Sequence, residues 1–198
     1  MKYIKLELKN KIQENVEVHL SLDDLSNDIL KCVKILYSKL RKGGKILFCG
    51  NGGSAADAQH LSAEYLVRLR PNINRDPIPA IALAQDTSTI TACGNDYSFD
   101  DIFLRPFQAI AGKNDVLICL TTSGNSKNIL KVLKEAKKRK ISTIGFLGNR
   151  GGMAKNFCDI RLVVNSKITA RIQECHIFLG HFILEQVEDL LLQKKKSK

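Results

Sequence analysis

The chain of 198 residues contains no tryptophan, and aromatic residues make up only 6% of it. Nucleic-acid readers interleave rings with basic residues or present a recognition helix, and neither pattern occurs here. The formal charge of +11 therefore needs another origin. It concentrates on one predicted helix, at Lys127, Lys131, Lys134, Lys137, Lys138, Arg139 and Lys140, and in the tail Lys194-Lys195-Lys196-Ser197-Lys198. Both read as solvated surface, with some of the charge free to draw in an anionic substrate. No apolar run approaches the roughly 20 residues that cross a bilayer. The start, Met1-Lys2-Tyr3-Ile4-Lys5-Leu6-Glu7, lacks the apolar core of a secretory leader, so a cytoplasmic protein is expected. No C-x-x-C pair occurs among Cys32, Cys49, Cys93, Cys119, Cys158 and Cys175, which predicts free thiols rather than disulfides or a thiolate metal site. Cys49 and Cys119 sit in apolar runs, where cysteine packs as a small hydrophobe.

With 44% hydrophobic and 26% charged residues, a chain of this length supports one domain with a sizeable core. The first part, residues 1–42, reads as a helical hairpin. One helix covers about residues 5–19, and Ser21 is placed to cap the next, with Asp23 and Asp24 in its first turn. Leu22, Leu25, Ile29, Val33, Ile35, Leu36 and Leu40 fall close to the 3.6-residue period, and Gly43-Gly44 ends the helix. Its own chain is not obliged to bury all that apolar surface, so a second subunit is an expected partner. From 43 to 193 apolar runs alternate with helical stretches, and residues 194–198 form a basic tail. Strands are predicted at Lys45–Cys49, Ile78–Leu83, Asp115–Leu120, Ser142–Leu147 and Ile160–Val164. Helices are predicted over 54–69, 88–94, 102–111, 126–140, 151–157 and 169–193. This alternation predicts an α/β fold: a five-stranded parallel sheet, doubly wound in the flavodoxin-like manner, with helices on both faces. Ligands of such folds bind beyond the carboxyl ends of the strands.

The polar loops fall there. Lys45-Ile46-Leu47-Phe48-Cys49 runs into Gly50-Asn51-Gly52-Gly53-Ser54, where a helix begins. Free backbone N–H groups and the helix dipole both favour an anion at that point. The spacing is neither G-x-G-x-x-G nor a Walker loop. A second strand, Val116-Leu117-Ile118-Cys119-Leu120, runs into Thr121-Thr122-Ser123-Gly124-Asn125-Ser126 and another helix. Its hydroxyls and amides suit a phosphate without any lysine in the loop. Either loop alone reads as a turn and cap; two of them point to a phosphorylated ligand. On the first helix His60 and Glu64 stand at i and i+4, on one face, as a surface pair or as a metal or acid–base pair.

Five stretches carry a resemblance. GNGGSAADAQHLSAEYLVR, ITACGNDYSFDDIF, TTSGNSKNILKVLKEAKKRK, GNRGGMA and RIQECHIFLGHFILEQVE occur in family order across nearly the whole chain. They resemble the sugar isomerase (SIS) domain family and, within it, the phosphoheptose isomerases. The resemblance implies a zinc-dependent homotetramer with sites shared between subunits. Its activity would convert sedoheptulose 7-phosphate to D-glycero-D-manno-heptose 7-phosphate, the entry to heptose biosynthesis for lipopolysaccharide or capsule. Carried over residue by residue, it implies zinc ligands His60, Glu64, Gln173 and His181. It implies substrate contacts from Asn51, Gly52, Gly53, Ser54, Glu64, Asn95, Asp96, Thr121, Thr122, Ser123, Ser126 and Gln173. Glu64 and His181 would be the catalytic acid and base, in an order the residues leave open.

The chemistry of these side chains agrees. Ketose–aldose isomerisation through an enediol needs a base at carbon and an acid at the carbonyl oxygen, and a carboxylate and an imidazole are both tunable toward neutral pH. Gln173 and His181, eight apart on the last helix, share a face. His176 reads as a packed or interface histidine, His19 as surface. The chain departs from the family at Ala170, where Asp-Arg-Ile-Gln is common and this sequence has Ala170-Arg171-Ile172-Gln173. Alanine there neither hydrogen-bonds nor carries charge, and Asn165–Thr169 before it also diverges. Two readings of another class stand beside the isomerase: a non-catalytic SIS-domain factor that binds a protein, and a sugar-phosphate sensor.

Overall fold

The structure is a computed structural model that describes residues 1–83 and 85–196. Ser197 and Lys198 of the basic tail, and the side chains of Lys194, Lys195 and Lys196, lie outside what is described. Strands β1 (Ile46–Gly50), β2 (Ala80–Ala82), β3 (Val116–Thr121), β4 (Ser142–Gly148) and β5 (Ile160–Val164) form a parallel sheet in the order β2-β1-β3-β4-β5. Every residue of β1 and β3 is buried, as a parallel sheet covered on both faces requires. Successive side chains enter opposite layers. Phe48, Ile118, Leu120, Ile144 and Phe146 pack with α2 (Ser26–Arg41), α3 (Gly53–Leu66) and α7 (Thr169–Lys196). Leu47, Cys49, Leu117, Cys119 and Leu147 pack with α5 (Leu104–Ile110) and α6 (Lys127–Lys138), and Cys93 of α4 (Thr87–Asp96) joins them. All six cysteines are buried and free, as their spacing predicts.

The N-terminal helix α1 (Lys2–Leu20) buries no residue. Tyr3, Ile4, Leu6, Leu8 and Ile12 are all more than half exposed. Ser21 does not cap α2. Its hydroxyl turns back to donate to the Val18 carbonyl at 2.7 Å, the backbone stays helical, and a 3-10 turn at Ser21–Leu25 carries the chain into α2. Asp86 does cap, accepting from the Ser88 and Thr89 amides at 3.1 and 2.9 Å, so α4 starts at Thr87. The helix predicted over 151–157 is absent. Gly151 and Gly152 have φ of +84° and +51°, which an α-helix excludes, and two short 3-10 turns, Asn149–Gly151 and Ala154–Asn156, flank them.

The lysine-rich helix α6 buries Ile129, Val132, Leu133 and Ala136 and turns its cations outward. Lys131 pairs with Asp101 at 2.9 Å, while Lys134 and Lys137 lie over the Phe157 ring. These three cations of α6 are therefore engaged within the fold. Among the described residues no helix is long and apolar enough to cross a membrane.

Candidate active site

The strand order reverses at β1: β2 lies on one side of it and β3 on the other. Loops leaving neighbouring strands at such a switch point diverge and open a crevice. The two loops at this point are the glycine-rich turn into α3 and the hydroxyl-rich turn into α6. They enclose an open cleft of about 320 Å³. Asn51, Gly52, Gly53, Ser54, Thr121, Thr122, Ser123, Ser126 and Gln173, all expected from the sequence, line it. Leu120 and Thr169 line it as well and were not foreseen. Thr169 opens α7 one turn before Gln173, and that i, i+4 spacing is the signal that marks it.

Among the described residues no charged side chain lines the cleft. The donors that could serve an anion there are hydroxyls and the remaining amide N–H groups at the starts of α3 and α6, since the Ser54 and Ala55 amides already bond the Asn51 and Gly52 carbonyls. Thr121 Oγ1 accepts from the Gly124 amide and Ser123 Oγ from the Asn125 amide, each at 3.2 Å, so both hydroxyl protons remain free to donate. Ser126 precedes α6 without spending its side chain on a cap. Asn51 and the buried Asn128 exchange amide hydrogen bonds at 3.0 and 2.8 Å, tying the first loop to α6. Asn128 is a brace that the sequence did not reveal. Gly53 lies close against Gln173: a Cβ there would come within 2.7 Å of Gln173 Nε2, so the carboxamide would have to shift.

A second constellation lies further along α3 and α7. His60, Glu64 and His181 each place one ligand atom within 4.8 Å of the others. The two Nε2 atoms face each other at 2.8 Å, and His60 Nε2 lies 3.3 Å from Glu64 Oε1. Two contacts bring the helices together. A Cβ on Gly180 would meet the Leu61 side chain at 2.6 Å, so α7 approaches α3 beside His181 only because glycine stands there. Buried Tyr65, next to Glu64, donates its hydroxyl to the Leu184 carbonyl at 2.8 Å. Burial and the neighbouring His60 hold the His181 imidazole below its ordinary value, opposed by Glu64 and Glu185. Asp57, one turn before His60, is raised by burial, with His60 acting the other way.

This cluster fits a metal ion. Among the described residues Glu64 Oε2 is buried with no hydrogen-bond partner, His60 Nε2 lies 3.3 Å from the other carboxylate oxygen, and His181 Nε2 lies 2.8 Å from His60 Nε2. Two imidazoles and a carboxylate are a donor set for zinc rather than calcium or magnesium. Gln173, the fourth expected ligand, stands two turns before His181 with its amide against Gly53.

The remaining expected residues stand elsewhere in the single chain. Asn95 and Asp96 are exposed at the end of α4, bonded to each other at 2.8 Å, and do not line the cleft. Ala170 is exposed in the first turn of α7. His176 is fully buried against Phe146, as packing predicts.

Comparison with known proteins agrees with this geometry. Residues 12–148 match the model of the SIS domain. The chain is 44% identical over 186 residues to a phosphoheptose isomerase of Campylobacter concisus, covering 94% of this chain and 97% of that one. It is 44% identical over 193 residues to one from Clostridium acetobutylicum, covering 98% and 97%. Among solved structures, the phosphoheptose isomerase from Neisseria gonorrhoeae superimposes with a TM-score of 0.87 at 35% identity, covering 94% of this chain and 99% of that one. The one from Francisella tularensis superimposes with a TM-score of 0.89 at 34% identity, covering 96% and 100%. Fold, cleft and near-full-length similarity converge: the chain belongs to the SIS domain family and, within it, to the phosphoheptose isomerases.

Proposed function

We infer that this protein isomerises sedoheptulose 7-phosphate to D-glycero-D-manno-heptose 7-phosphate, the first step of heptose biosynthesis for lipopolysaccharide or capsule. The observation that carries the reading is the pairing of two sites on α3 and α7. A neutral, amide-lined anion cleft occupies their N-terminal ends, and a carboxylate with two imidazoles stands further along. The cleft holds the phosphate, and that remote binding fixes the sugar for reaction. Proton transfer between C1 and C2 then needs one group to accept from carbon and one to serve the carbonyl oxygen. Glu64 and His181 supply them. Burial and His60 hold the His181 imidazole below its ordinary value, which favours its neutral form; a ring nitrogen bound to metal keeps no lone pair, so His181 would exchange its proton at its other ring nitrogen. The Glu64 carboxylate has two oxygens, so one could hold metal while the other exchanges the proton; Oε2 has no hydrogen-bond partner among the described residues.

His60, Glu64, Gln173 and His181 would hold a zinc ion, which when bound supplies Lewis-acid polarisation of the carbonyl or hydroxyl oxygens. Asn95 and Asp96 are proposed to reach the cleft of a neighbouring subunit in a homotetramer. The bare apolar side of α1 is consistent with such an assembly. The protein is proposed to work in the cytoplasm. Proton NMR with sedoheptulose 7-phosphate in deuterated water tests the reaction. New aldose anomeric signals and exchange at C1 or C2 are expected. Neither signal from folded, zinc-loaded protein would overturn the reading and favour a protein-binding factor or a sensor.

A further inference from the structure

Between α3 and β2 the chain makes a proline-punctuated loop whose residues are mostly exposed, yet beside the apolar Ile78 it buries one charged side chain almost wholly. The Arg75 side chain is 2% exposed and pairs through Nε with Glu188, whose side chain is 0% exposed. Arg75 Nη2 donates to the Glu64 carbonyl at 2.8 Å and Nη1 to the Tyr65 carbonyl at 3.0 Å. These carbonyls belong to the last turn of α3, which helices leave without intrahelical partners; the Tyr65 carbonyl also accepts from the Ile78 amide at 2.9 Å. Glu188 lies on α7, two turns after His181 and on the same face. Arg70 closes the cluster, bonding Glu188 at 2.7 Å and Asp189 at 2.5 Å. One guanidinium thus grips the turn of α3 that carries Glu64 and, at its other edge, the helix that carries His181.

A buried ion pair is a poor way to gain stability, because desolvating two charges offsets their attraction; apolar residues of equal volume often serve folding as well or better. What the Arg75–Glu188 pair supplies that leucine or methionine cannot is direction. The planar fork fits two carbonyls and one carboxylate at set angles. Groups that orient ligands from behind commonly tune a metal site strongly without touching the metal.

We propose that Arg75 and Glu188 are positioning residues for the proposed isomerase site: they lock the end of α3 to α7 so that Glu64, His60 and His181 stay converged. The inference rests on the functional reading above and concerns its precision, not the identity of its catalytic groups. It predicts that geometry and stability separate when both charges are removed together.

The test is the double variant Arg75→Met/Glu188→Leu in the full chain, compared with wild type well below the melting temperature of each. Three quantities are read: melting temperature, affinity for cobalt(II) with its visible absorption, and kcat and KM for sedoheptulose 7-phosphate. Folding is expected to persist, with at least a tenfold loss of cobalt affinity, an altered absorption band, at least a tenfold fall in kcat and little change in KM, since the anion cleft lies at the other end of α3. A folded variant with cobalt affinity and kcat both within twofold of wild type overturns the proposal. If the double variant does not fold, Arg75→Lys replaces it: the charge beside Glu188 remains and the two-carbonyl grip goes. A several-fold loss of cobalt affinity then supports the proposal, and unchanged affinity overturns it. Wild-type results judge the underlying reading separately. If wild-type protein binds no cobalt, the metal assignment falls, and the ratio of variant to wild-type kcat at constant KM decides the role of the pair.

Discussion

His176 offers a test of the core that turns on the sign of one titration. Its side chain is fully buried on α7 against Phe146, with ring centroids 5.9 Å apart. Neither ring nitrogen forms a hydrogen bond, although the Leu147 backbone favours the charged form slightly. Burial pushes the imidazole down from 6.5 to about 4. The folded-state value lies below the unfolded one, so the unfolded chain binds more protons between them. Stability from the neutral ring is fully present above the unfolded value and is lost as pH falls from there toward about 4. At about 1.4 kcal/mol per unit, a drop from pH 7.5 to pH 5.0 spans some 1.5 units of that window and costs about 2 kcal/mol. The variant His176→Leu keeps the burial and removes the proton site. Urea unfolding of both proteins at the two pH values, at one fixed protein concentration, isolates the effect. His181 is also depressed and titrates in the same direction, but it is present in both proteins and cancels in the double difference. Wild type is expected to lose about 2 kcal/mol more than His176→Leu on acidification. Equal losses would refute a neutral, buried His176.

Three further outcomes follow from the site. Glu64→Gln should lower turnover by roughly 100-fold or more with the urea midpoint unchanged; near-normal turnover would remove Glu64 from proton transfer. Gly53→Ala puts a methyl 2.7 Å from Gln173 Nε2 and 2.9 Å from Oε1, forcing the carboxamide out of the cleft. Calorimetry should show sugar-phosphate binding weakened by roughly three- to tenfold, the worth of about one hydrogen bond, and unaltered binding would show that Gln173 is no contact. Dialysis against a chelator should abolish turnover and lower the melting temperature, both restored by about one zinc per subunit; full activity in metal-free protein would sink the metal role.

Local patterns settled much of this protein because their causes are local. Apolar runs too short for helices, alternating with amphipathic stretches, specified the parallel sheet, and glycine- and hydroxyl-rich turns at strand ends specified the anion loops. His60 and Glu64 were legible as a pair because a helix sets i beside i+4. Two local forecasts failed where a side chain or a backbone angle chose otherwise: Ser21 bonded backward to Val18, and Gly151 and Gly152 adopted positive φ in place of a helix. The rest depends on residues far apart in the chain. Only strand order could place the loops after β1 and β3 at one switch point. Only the packing of α7 on α3, permitted by Gly180, could bring His181 to His60. The brace at Asn128 and the buried grip of Arg75 and Glu188 left no pattern in the sequence, since each is an ordinary polar residue until folding removes its water and leaves one partner in reach.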